Sequence, residues 1–153
     1  MKIAKIINNN VVSTCDEEGR EIIVMGRGVG FKAKEGSTID EEKVEKIFRL
    51  ESQNTMDKFK ELLVSLPMEH VQISAEIISY AKEVLNRPIN PNVYITLTDH
   101  INFALERYKQ KMMFSNPLIR EVRSFYHAEY LIGEYAIAMI ERGLGVKLPV
   151  DEA

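Results

Sequence analysis

The sequence predicts an α+β, multidomain chain in which a small antiparallel β domain is followed by an all-α helical bundle. Three observations point there. Five of the eight glycines precede residue 52. Short runs of β-branched residues fill that same stretch. Beyond it the apolar residues recur at the three- and four-residue spacing of amphipathic helices. The 153 residues suffice for one ordinary domain or two small ones.

The strands are expected over Lys2 to Ile7, Val11 to Thr14 and Arg20 to Met25. Asn8-Asn9-Asn10, Asp16-Glu17-Glu18-Gly19 and Gly26-Arg27-Gly28 punctuate them, which is the layout of a meander. Lys46 to Leu50 reads equally as a fourth strand or as a helical turn, because Thr38-Ile39-Asp40-Glu41 has the form of a capping box that opens a short helix. A β domain of about 50 residues buries too little apolar surface to be secure alone, so two copies pairing sheet against sheet are expected.

Helices follow. Asp57 to Leu66 places Phe59, Leu62, Leu63 and Leu66 on one face and stops at Pro67. Met68 to Leu85 carries the stripe Val71, Ala75, Ile78, Ala81 and Leu85, closed by Asn86-Arg87-Pro88. A third helix starts either at the caps Thr98-Asp99 or near Asn92 and runs to about Phe114. Asn116-Pro117 opens a fourth, whose pattern Leu118, Val122, Phe125, Tyr126, Leu131, Ala136, Ile140 continues to Gly143. Leu148-Pro149-Val150-Asp151-Glu152 has the order that begins a further helix, and the expectation is of a fragment.

Charge excludes some functions. Twenty basic and 23 acidic residues give a net charge of −3, which argues against a uniformly basic nucleic-acid binder. One cysteine, Cys15, allows no intramolecular disulfide and suits a reducing compartment. The start Met1 to Lys5 lacks a following apolar run of signal-peptide length, and no segment reaches membrane-spanning length, so a cytoplasmic protein without membrane insertion is expected.

Within residues 1–52 the nine basic and ten acidic residues are segregated. Lys2 and Lys5 are alone before Cys15, and Arg27, Lys32 and Lys34 follow Met25, whereas the acids gather at 16–21 and 35–45. If the ends of the first and third strands meet, they form a basic surface carrying Asn8, Asn9, Asn10, glycine backbone and Phe31. Those groups supply phosphate pairing, hydrogen bonds to base edges or 2′-OH, and stacking, the means of RNA recognition. The plainer alternative makes the asparagines a hairpin turn and Phe31 a core residue. Gly26-Arg27-Gly28-Val29-Gly30 lacks the lysine and hydroxyl of a P-loop and the dinucleotide spacing, and reads as a tight backbone excursion that lets a ligand or strand approach.

His70, His100 and His127 stand at no metal-binding spacing, so neither metal nor cofactor is expected. His70 and His127 read as solvated or partly packed. His100 follows Asp99, whose carboxylate is able to orient one ring nitrogen and leave the other nucleophilic.

Lys-Ile-Ala-Lys-Ile-Ile-Asn-Asn-Asn-Val-Val from Lys2, Val-Met-Gly-Arg-Gly-Val-Gly-Phe from Val24 and Ile-Asp-Glu-Glu-Lys-Val-Glu-Lys-Ile-Phe from Ile39 resemble the co-antiterminator RNA-binding domain of the BglG/SacY-type bacterial transcription antiterminators. Leu-Thr-Asp-His-Ile-Asn-Phe-Ala-Leu-Glu-Arg from Leu97, Asn-Pro-Leu-Ile-Arg-Glu-Val from Asn116 and Glu-Tyr-Leu-Ile-Gly from Glu129 are similar to the first phosphotransferase-system (PTS) regulation domain of that family. The resemblance implies a co-antiterminator domain over 1–52, a linker over 53–56 and a regulation domain over 57–153. The regulation domain is expected to be truncated at its C-terminal helix, which in the family bears a second phosphorylatable histidine.

The implied RNA-binding domain is a dimer of four-stranded sheets that clamps an antiterminator hairpin against the overlapping terminator in the leader of a sugar-utilisation operon. Its contact positions fall on Lys5, Asn8, Asn10, Gly26, Arg27 and Phe31. The implied phosphorylation site is His100 beside Asp99, served by PTS phosphocarrier and sugar permease proteins. On this reading the chain is a homodimeric regulator and not an enzyme. The competing expectations are a histidine phosphotransfer carrier and a bare dimerisation fragment.

Overall fold

Strands form where the β-branched runs lie, and the asparagine and acidic segments turn the chain between them. In the computed structural model, which describes residues 1–112 and 115–153, β1 (Lys5–Asn8), β2 (Val11–Cys15), β3 (Glu21–Met25) and β4 (Lys46–Arg49) make one antiparallel sheet in the order β1-β2-β3-β4. Lys46 to Arg49 is therefore a strand, and a separate 3-10 turn, Glu41–Lys43, precedes it. Its cap is Asp40, whose carboxylate accepts from Glu42 N at 3.1 Å, and not Thr38. The first strand is shorter than expected because Lys2 and Ile3 pair with residues 37–38 instead.

Both faces of the sheet are covered. Alternation puts Val12, Ile22 and Val24 on one face, where they pack with Ile3, Val29 and Ile39. Cross-strand register puts Ser13, Ile23 and Phe48 on the other. There α1 (Gln53–Ser65) lies against the sheet, with the Phe59 ring packed on Phe48 at a centroid separation of 4.9 Å and an interplanar angle of 48°. Met56, Phe59 and Leu63 are buried at spacings of three and four, each burial worth about 2 kcal/mol. The expected linker over 53–56 is thus corrected: these residues are the first turn of α1, held down because Met56 needs the sheet's apolar face. The chain divides into two units, Met1–Ser65 and Leu66–Ala153.

The second unit is helical. α2 (Met68–Leu85) ends at Asn86, which takes the left-handed conformation at φ 49°. α3 (Val93–Lys109) adopts the earlier of the two expected starts. It stops at Lys109, and the expected extension to Phe114 reaches residues outside those described. The long fourth helix is corrected to two, α4 (Ile119–Phe125) and α5 (His127–Leu144), because Tyr126 leaves helical geometry at φ −125°, ψ 52°. α5 closes on Gly145 at φ 69°. Ile73 and Ile77 of α2, Ile101, Ala104 and Leu105 of α3, Ile140 of α5 and Leu148 form the core.

Candidate nucleic-acid interface

The turn after β1 and the glycine segment after β3, far apart in sequence, are strapped together. Gly26 N donates to the Asn10 carbonyl at 2.9 Å and Gly30 N to the Asn9 carbonyl at 2.9 Å. Gly28 N donates to Asn10 Oδ1 at 2.8 Å. Two of these glycines are required by close approach: a Cβ at Gly26 would lie 1.7 Å from the Lys43 carbonyl oxygen, and one at Gly30 would lie 2.4 Å from that of Asn8. What comes close to the glycine excursion is thus the chain's own backbone.

The strap sets Arg27 and Phe31 beside the asparagine turn. Arg27 is exposed, and Phe31 is 55% exposed, with Lys32 Nζ 5.3 Å from its ring centroid. The core alternative for Phe31 does not hold in this structure. Lys32 adopts a positive φ of 56°, which turns the chain sharply at the tip. Gly26 is buried and serves the backbone junction. Asn8 is half-buried and doubly committed: its Oδ1 accepts from Asn10 N at 2.8 Å, and its Nδ2 donates to the Leu63 carbonyl of α1 at 3.0 Å. Lys5 is exposed on the edge strand β1, in a groove it shares with Asp57, Lys60, Glu61 and Val64 of α1.

In the helical unit His100 sits in the second turn of α3 rather than at a helix start, and its side chain is 54% exposed. The carboxylate facing it is that of Glu152, with Nε2 to Oε2 at 3.7 Å. Among the described residues no hydrogen bond joins Asp99 to His100. Glu152 belongs to the 3-10 turn Val150–Glu152, its side chain is 4% exposed, and Arg107 Nη2 donates to its Oε1 at 2.7 Å. Asp151 Oδ2 in the same turn accepts from Asn116 N at 3.1 Å. Sequence reading took these acids for a helix start and missed the pairing of Glu152 with α3 and of Asp151 with Asn116. His70 is half-buried; loss of solvent first, then Lys109, pushes its pKa below the usual histidine value. The described residues contain no cluster able to hold a metal ion and no helix long and apolar enough to cross a membrane.

Residues 1–57 match the CAT RNA binding domain family, and residues 75–153 match the PRD domain family. The chain is 46% identical to the transcription antiterminator LicT of Bacillus subtilis (strain 168) over 153 residues, all of this chain and 55% of that protein. It is also 46% identical to the beta-glucoside operon antiterminator of Dickeya chrysanthemi, covering 54% of it. The chain therefore spans about half the length of the curated relatives it matches. The crystal structure of GlcT CAT-PRDI superposes with a TM-score of 0.83 at 33% identity, covering 99% of this chain and 90% of that one. This chain belongs to the family of bacterial transcription antiterminators in which a CAT RNA-binding domain precedes a PRD domain.

Proposed function

We propose that this chain binds an RNA hairpin in the leader of a sugar-utilisation operon and holds it in the antiterminated form. The observation that carries the reading is the strap between Asn9-Asn10 and Gly26–Gly30, because it gathers turn amides, a guanidinium and an exposed aromatic ring at one place. Arg27 pairs with phosphate, Phe31 stacks on a base, and Asn8, Asn10 and Lys5 supply hydrogen bonds and charge along the same rim. Gly26 contributes by letting the strap close. Binding is by a homodimer that doubles this surface, and the chain turns over no substrate.

The second half of the reading is that His100 accepts a phosphoryl group from PTS phosphocarrier or permease proteins. A donor phosphohistidine loses its P–N bond, a ring nitrogen of His100 gains one, and the His100 ring releases a proton. The product carries close to two negative charges next to Glu152, which is ion-paired with Arg107. Repulsion from one carboxylate and attraction to one guanidinium then bear on the 3-10 turn that Glu152 anchors. Electrophoretic mobility shifts with an antiterminator hairpin test the first half. Arg27→Ala and Phe31→Ala are expected to weaken binding about tenfold or more each, and unchanged binding by both sinks the reading. Labelling by the phosphocarrier system tests the second: label on wild type and none on His100→Ala is expected, and equal label moves the site elsewhere.

A further inference from the structure

Three features of α1 converge on the RNA-binding rim. First, the backbone carbonyl of Leu63 takes the amide donor of Asn8 at 3.0 Å. With Asn8 Oδ1 already accepting from Asn10 N, that side chain has one fewer acceptor lone pair and one fewer donor to offer to RNA. Second, α1 brings the carboxylates of Asp57 and Glu61 into the groove lined by Lys5, and since the one cation it adds there, Lys60, is already paired with Glu21 and Asp57, Glu61 is left to oppose an approaching phosphate. Third, α1 covers the sheet face of Ser13, Ile23 and Phe48, so neither sheet face is open to a second copy.

We propose that α1, docked as seen here, is an autoinhibitory lid over the RNA-binding unit. Release of α1 frees the Asn8 amide, removes two carboxylates from Lys5 and exposes an apolar sheet face that a second copy of the same sheet is suited to cover. The proposal rests on the RNA-binding reading above. α1 is well placed to be released, because its polar fastening is local and reversible. Lys60 Nζ donates to Glu21 Oε1 at 2.8 Å and Gln53 Nε2 to Glu21 Oε2 at 2.9 Å, all at the margin of the sheet. Its apolar hold comes from Met56, Phe59 and Leu63.

The Lys60–Glu21 ion pair supplies the test. A zero-length carbodiimide joins the amine of Lys60 to the carboxyl of Glu21 as an amide with loss of water, fixing α1 to β3; mass spectrometry verifies the link. Lys60→Arg keeps an ion pair but forms no such amide, and the same treatment of that variant controls for modification elsewhere. The linked wild type is expected to bind an antiterminator hairpin at least tenfold more weakly than treated Lys60→Arg and to remain monomeric in sedimentation. Equal binding by the two overturns the lid while leaving the RNA reading intact. Leu63→Gln, which weakens the apolar hold of α1 while leaving every residue of the sheet itself unchanged, is expected to bind RNA at least fivefold more tightly than wild type and to dimerise more readily. Should untreated wild type and Leu63→Gln both fail to bind the hairpin, the RNA reading and the lid fall together; binding by Leu63→Gln alone supports both.

Discussion

Asn10 separates the structural from the recognition role of the asparagine turn. Its Oδ1 accepts from Gly28 N at 2.8 Å across 18 residues of sequence, and its backbone carbonyl accepts from Gly26 N. The side-chain oxygen must face Gly28, because an N–H needs an acceptor there, and the Nδ2 amide therefore points to the other side. Asn10→Ala removes the acceptor and leaves a half-buried donor, a loss of about 1–2 kcal/mol in the stability of the β unit. Asn10→Asp keeps an oxygen at the same place, so the strap survives and stability stays within about 0.5 kcal/mol of wild type. The same change replaces the outward donor by negative charge, and RNA binding is expected to fall by about 2 kcal/mol, roughly thirtyfold. Urea denaturation followed by spectroscopy reads the first quantity, and a filter-binding titration at fixed salt reads the second. If Asp is as destabilising as Ala, the Gly28 strap is not what Asn10 does. If Asp binds RNA as wild type does, Asn10 does not face the RNA.

Other consequences are as direct. Phe59→Ala removes the ring packed against Phe48 and is expected to destabilise the β unit by about 3–4 kcal/mol, read as an earlier urea midpoint. Burial raises the Glu21 carboxyl, but hydrogen bonds from Gln53 and Lys60 outweigh it and hold its pKa below the ordinary glutamate value. A carboxyl depressed on folding contributes stability that is present above its unfolded value and lost as pH falls through the folded one, so α1 is expected to loosen below about pH 4.5, seen as faster amide exchange over 53–65. Glu21→Gln should flatten that response. Phosphorylation of His100 is expected to speed amide exchange over 148–153, and His100→Ala exposed to the same donor should show no change.

Much of this architecture was legible in the residues. The β-branched runs and their turn residues locate the first three strands and leave Lys46 to Leu50 open between strand and helical turn, and the apolar spacing locates α2 closely while leaving two starts open for α3. Other features were settled by contacts between residues distant in sequence. The local signal for α1 is slight, a Ser52 hydroxyl accepting from Thr55 N at 3.5 Å, and its first turn is held where Met56 and Phe59 are buried. No glycine or proline marks the break at Tyr126 in this sequence. Asn8, Asn10, Arg27 and Phe31 were singled out by that resemblance, whereas the strap that joins them spans 18 residues and is visible only in three dimensions. Glu152 escaped notice for the same reason: its partners His100 and Arg107 lie about 50 and 45 residues earlier, and only folding sets the carboxylate beside them.

The central claim is sequence-specific recognition of a hairpin by the β unit. Its most direct measurement is competition binding at physiological salt, with labelled antiterminator hairpin displaced either by the same hairpin or by the overlapping terminator stem. The account predicts that the terminator competes at least a thousandfold less well. Equal competition by the two RNAs would reduce the basic rim to a non-specific phosphate contact and contradict the account.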